Sequence, residues 1–106
     1  MDKKLKRKWL TALESGKFEK TTHRLLGKDN KSYCCLGVLG IVCGLGNGQL
    51  KRMISGDHND KYKNDKLSNR FLKKVGLSNS QQNELANLND KSDTFFSVID
   101  YIRTNI

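Results

Sequence analysis

The chain has 106 residues, a formal net charge of +9 and an isoelectric point near 9.6. That length suits one compact core and is short for two. With 36% hydrophobic and 29% charged residues the core must be thin, and no apolar run is long enough to span a bilayer.

A surface this basic attracts polyanions such as nucleic acid, nucleotides, anionic lipid or an acidic protein. The competing reading is a solvated basic surface that only aids solubility. Met1 to Trp9 begins with basic residues but lacks the apolar stretch of a secretory leader. Three cysteines, two of them adjacent, make no disulfide framework. Buried free thiols in a reducing cytoplasm fit better.

Residues 3–14 predict an amphipathic helix. Leu5, Trp9, Ala12 and Leu13 fall on one face of a 3.6-residue period, and Lys3, Lys4, Lys6, Arg7 and Lys8 spread around the others. Ser15-Gly16 is a stop signal, with Gly16 suited to a left-handed position. Residues 17–34 change character. Lys17 to Leu26 tolerates β structure, Gly27-Lys-Asp-Asn30 is turn chemistry, and Ser32-Tyr33-Cys34 reads as a returning strand. A two-stranded hairpin is predicted, packed on helices because an isolated hairpin is marginal.

The centre of the chain is Lys31 to Leu45, its only sustained apolar run, which carries all three cysteines. Residues 34–45 leave almost no polar face, as in a buried helix. Gly37, Gly40 and Gly44 each cost about 1 kcal/mol of helix propensity against alanine. Their repetition points to close approach of neighbouring elements. Residues 46–66 read as a surface loop, within which Leu50, Met53 and Ile54 can make one helical turn.

A short helix at 66–76 places Leu67, Phe71, Leu72 and Val75 inward and stops at Gly76. Ser78 and Gln81 form a capping box for the next helix, with Leu77 in the staple position. That helix carries Leu85, Ala86 and Leu88 and ends at Asn89-Asp90. Ser92 is expected to cap the last helix, whose core stripe is Phe95, Phe96, Val98, Ile99 and Ile102. The whole is read as one small α+β domain over residues 1–106, with about five helices around a buried central helix and one β-hairpin.

Cys34, Cys35, Cys43, His23 and His58 lack metal-ligand spacing, so no metal is expected. Activation of Cys34 or Cys35 by His23 lacks a visible orienting group, and apolar surroundings raise a thiol's pKa, so an enzyme is not expected. Gly44-Leu-Gly-Asn-Gly48 lacks the lysine–threonine signature of a phosphate loop. No cofactor is implied.

The richest set is Ser15 to Arg24. Lys17, Lys20 and Arg24 can neutralise phosphate. Thr21 and Thr22 can donate to phosphate or ribose oxygens, and Phe18, His23 and Tyr33 can stack on a base. The structural alternative keeps Phe18 in the core beneath a charged outer face. Asn87 and Asn89-Asp90 either cap a helix end or hydrogen-bond a base edge.

The order Trp9-Leu10, Leu13, Ser15-Gly-Lys-Phe18, Tyr33-Cys-Cys-Leu-Gly-Val-Leu39, Leu85-Ala-Asn-Leu-Asn-Asp90, Phe96 and Asp100-Tyr-Ile102 resembles a broad family of small tailed-bacteriophage proteins. It spans nearly the whole chain except residues 46–66. A proline common before the third helix in that family is missing here. The resemblance implies a phage context, in which small proteins include counter-defence factors. Among these are sponges that hold a cyclic nucleotide immune signal without cleaving it. It therefore implies a nucleotide ligand, a homo-oligomer and action in the host cytoplasm. The ligand-binding candidates are Lys17, Phe18, Lys20, Thr21, Thr22, Arg24, Tyr33 and Asn89. The alternative is a basic accessory protein whose Lys3 to Lys8 cluster contacts a nucleic-acid backbone.

Overall fold

The computed structural model describes residues 1–53 and 66–106. Helix α1 runs Lys3–Glu14. The Asp2 side chain caps it by accepting the Leu5 N–H at 3.3 Å. It stops where Gly16 takes a positive φ of 76°, as the Ser-Gly pair predicts. Trp9 and Leu13 are buried on its inner face.

The predicted hairpin is corrected. Strand β1 (Glu19–Lys20) pairs with β2 (Ser32–Tyr33) in parallel, with Glu19 opposite Ser32 and Lys20 opposite Tyr33. The turn at Gly27–Asn30 is where the sequence puts it, but its first arm is Leu25–Gly27. The Gly27 N–H donates to the Ser32 carbonyl at 2.8 Å, and Leu26 bridges Tyr33 antiparallel. The reason is burial. Leu25 and Leu26 are the apolar pair of the segment and go fully inside, so they take the place beside β2. Residues 21–24 must then double back, and His23 adopts a left-handed φ of 64°. Asp29 fastens the turn. Its Oδ1 accepts from the Lys31 and Ser32 N–H groups and the Ser32 hydroxyl at 2.9–3.0 Å.

Helix α2 spans Cys35–Val42, shorter than the apolar run, and is buried from Cys35 through Gly40. Its neighbours are α1, β2, α3 (Asn47–Arg52) and α5 (Asn79–Lys91). It is the central helix the sequence predicts. Burial of Leu36, Val38 and Leu39 stabilises it by about 1.5–3 kcal/mol per side chain. The close-approach reading of its glycines holds at two positions. A Cβ at Gly37 would collide with the Leu25 carbonyl, and one at Gly40 would sit 2.7 Å from Leu50 Cδ2.

Helix α3 (Asn47–Arg52) is longer than the single turn expected around Leu50 and replaces the first part of the predicted loop, and its Leu50 is fully buried. Ile54 and His58, and the rest of the predicted loop through residue 65, lie outside the described residues. Helix α4 (Asn69–Val75) is capped by Ser68 and closed by left-handed Gly76. Helix α5 opens with the reciprocal Ser78–Gln81 capping box. Helix α6 spans Phe96–Asn105 and packs on α1 and α5.

Two expectations about α6 fail together. Ser92 ends α5 instead of opening α6, which begins at Phe96. That start turns Phe95, Val98 and Ile102 inward and leaves Phe96 77% exposed. Phe95 precedes the helix as its N-cap and turns into the core, whereas Phe96, its first residue, faces outward. Among the described residues, six helices and one two-stranded sheet make up the fold, and no helix is long and apolar enough to cross a membrane.

Candidate ligand-binding cleft

A cleft of about 220 Å³ opens between the 23–24 segment and α5. His23, Arg24, Lys66, Asn87 and Asp90 line it, with Cys34 and Leu36 from the start of α2. Its walls are fixed by the Asn89-Asp90 pair. Asn89 is fully buried. Its Oδ1 accepts the Cys35 N–H at 3.0 Å, and its Nδ2 donates to the Thr21 carbonyl at 3.0 Å and to Asp90 Oδ1 at 3.2 Å. One amide thus ties α5 to the first peptide of α2 and to the strand exit after β1. Asp90 holds the bend itself, accepting the His23 N–H at 3.0 Å and pairing with His23 Nδ1 at 3.1 Å. These two side chains stabilise a left-handed residue that would otherwise be strained.

Both ends of the Asn89 amide are engaged, so this residue shapes the cleft and offers nothing to a ligand. The other candidates separate. Arg24 faces this cleft. Phe18 and Lys20 line a second, shallower groove of about 470 Å³ beside α1 and α6. Tyr33 lines neither; its ring meets Phe18 edge-to-face at 5.4 Å and its hydroxyl donates to Asn47 Oδ1 at 2.7 Å. Phe18 and Tyr33 therefore pack edge-to-face on each other. Lys17 is exposed near the end of α1, and Thr21 and Thr22 are half-buried on the stretch joining the two depressions. The Thr21 backbone is engaged at both ends, by Tyr33 and Asn89.

Sequence reasoning missed Lys66 as a wall of the cleft. It stands half-buried with Nζ donating to Asn83 Oδ1 at 3.0 Å. The residue after it is positioned by a side chain on α5: the Leu67 N–H donates to the buried Gln82 Oε1 and the Leu67 carbonyl accepts from its Nε2. No local pattern announces that placement.

The orienting group absent from the sequence reading of His23 is Asp90. Cys34, in the same cleft, is buried, and its Sγ accepts the Gly37 N–H at 3.4 Å as the cap of α2. Burial pushes the Cys35 thiol well above its ordinary pKa, reinforced by Cys34 beside it. Cys43 is exposed; partial burial raises its pKa, and Lys74 and Lys8 oppose that. Among the described residues, no group of three or more histidine, cysteine or acidic side chains is placed to hold a metal ion.

Neither the curated proteins nor the solved structures contain a match to this chain. One family model, the domain of unknown function DUF8296, is similar to residues 1–51, from α1 into α3.

Proposed function

We propose that this protein is a phage counter-defence factor that acts in the host cytoplasm by binding a cyclic nucleotide immune signal and holding it without cleaving it. The observation that carries the reading is the cleft, where Arg24, Lys66 and the Asn87 amide gather around one concavity. Arg24 supplies a fork for phosphate oxygens and Lys66 a point charge. Asn87, exposed on α5, can pair with a base edge. At about 220 Å³ the cleft is smaller than the ~300 Å³ at which small-molecule sites usually begin. It takes a phosphate with its sugar, and the rest of the ligand lies over the 21–24 segment, within reach of Thr21 and Thr22.

The test is retention. Purified protein is mixed with a panel of cyclic di- and trinucleotides, freed of excess ligand and heated. Release of intact nucleotide on heating, reduced at least about tenfold by Arg24→Ala or Lys66→Ala, supports the proposal. No retention across the panel overturns it, and release of cleaved products overturns the holding role.

The net charge of +9 and the Lys3 to Lys8 cluster on α1 favour a second reading, a basic accessory protein bound to nucleic-acid backbone. It requires affinity for duplex or single strand that falls steeply with salt and falls further in Lys8→Ala.

A further inference from the structure

We infer that the groove between α1 and α6 is the face through which two copies of this chain associate. The inference is independent of the nucleotide reading. Buried Leu13 and Phe95 and half-buried Phe18 and Ile99 line the groove. Beside them stands Phe96, the only exposed large apolar side chain among the described residues. An isolated exposed leucine or valine needs no explanation, but an aromatic ring next to an apolar depression is the pattern of an interface anchor.

The charges at the groove name the occupant. Lys20 and Asp93 both line it, and neither has an ion-pair partner among the described residues. An acidic partner would meet Asp93 unfavourably, and a basic one would meet Lys20. A second copy satisfies both, because a two-fold axis sets residue i against j and j against i. The Phe96 ring of each protomer then enters the groove of the other, and Lys20 of each faces Asp93 of the other. Glu14, also at the groove, is already paired with Arg103 and stays out of the exchange.

Sedimentation equilibrium of the full chain from low to high micromolar concentration tests this. The expected result is a concentration-dependent rise from monomer to dimer mass. Phe96→Glu should weaken association at least about tenfold, since interface aromatics commonly exceed 1.4 kcal/mol on truncation. The variant places an acid in the first turn of α6, where it favours the helix, so the monomer should keep its circular dichroism and melting temperature. Lys20→Asp and Asp93→Lys should each weaken the dimer, and the double exchange should recover most of the loss. A monomer at every concentration overturns the inference. So does a dimer unaffected by Phe96→Glu, or a double exchange no better than the single ones.

Discussion

Replacing Asn89 with alanine removes the polar hub of the fold. The side chain is fully buried and makes three hydrogen bonds. Its loss leaves the Cys35 N–H and the Thr21 carbonyl without this partner. An unsatisfied buried polar group costs about 1–3 kcal/mol, and the truncated side chain adds a small cavity. The bond to Asp90 matters less, because Asp90 keeps both contacts to His23. The sum is about 3–5 kcal/mol, against a total stability of about 5–15 kcal/mol for a domain of this size. Urea unfolding followed by circular dichroism measures it, with the midpoint falling and the slope unchanged. Asn89→Asp should also destabilise, because it loses the donor to Thr21 and buries a charge. A loss below about 1 kcal/mol in Asn89→Ala would refute the reasoning, because the two backbone groups would then have found other partners.

Gly37→Ala should destabilise by more than about 2 kcal/mol in the same assay, because its methyl meets the Leu25 carbonyl, backbone that cannot swing aside. A thiol-specific reagent should modify exposed Cys43 first, more slowly than a free thiol because its pKa is raised, and leave Cys34 and Cys35 untouched until the protein unfolds, since both are buried and the Cys35 thiol is held protonated; mass spectrometry of the adducts gives the order. Asp29 has its pKa lowered, first by the Lys31 N–H and then by the Ser32 hydroxyl. Its ionised form therefore stabilises the fold above the ordinary carboxylate value of 3.8, and that contribution fades as pH falls through the lower folded value. Wild type should melt above Asp29→Asn at neutral pH, with the gap closing as the pH falls below the ordinary carboxylate value of 3.8.

The features legible in the sequence are those a few neighbouring residues decide. The α1 stripe, the Gly16 and Gly76 stops and the Ser78–Gln81 box each depend on spacing of four residues or fewer, and each stands as expected. The buried central helix was legible because its run has no polar face. The parallel pairing of β1 and β2 was not, because two residues are too few to show a period. Placement of Phe96 hinged on where α6 begins. Ser92 and Thr94 are both plausible caps, and in the fold the Thr94 hydroxyl takes the Phe96 N–H at 3.3 Å.

The candidate site was harder. Its cations are near in sequence, but the left-handed bend at His23 sends Lys20 and Arg24 to different depressions. Asn89 could be read as a cap or a base-reader, and its real partners lie 54 and 68 residues away. Local chemistry cannot distinguish a ligand's carbonyl from the chain's own.

The peptide unit of Cys35 is gripped from both directions along the chain. Its N–H goes forward to Asn89, and its carbonyl goes back to the Trp9 indole at 2.9 Å. Loops of 54 and 26 residues must therefore close before the middle of the molecule is secured, and each closure costs chain entropy that no local contact repays. Such wiring predicts an all-or-none transition. A chain cut after residue 51, where the family similarity ends, keeps the Trp9 half of the grip and loses the other. It should populate only unfolded conformations, which circular dichroism of the fragment would check.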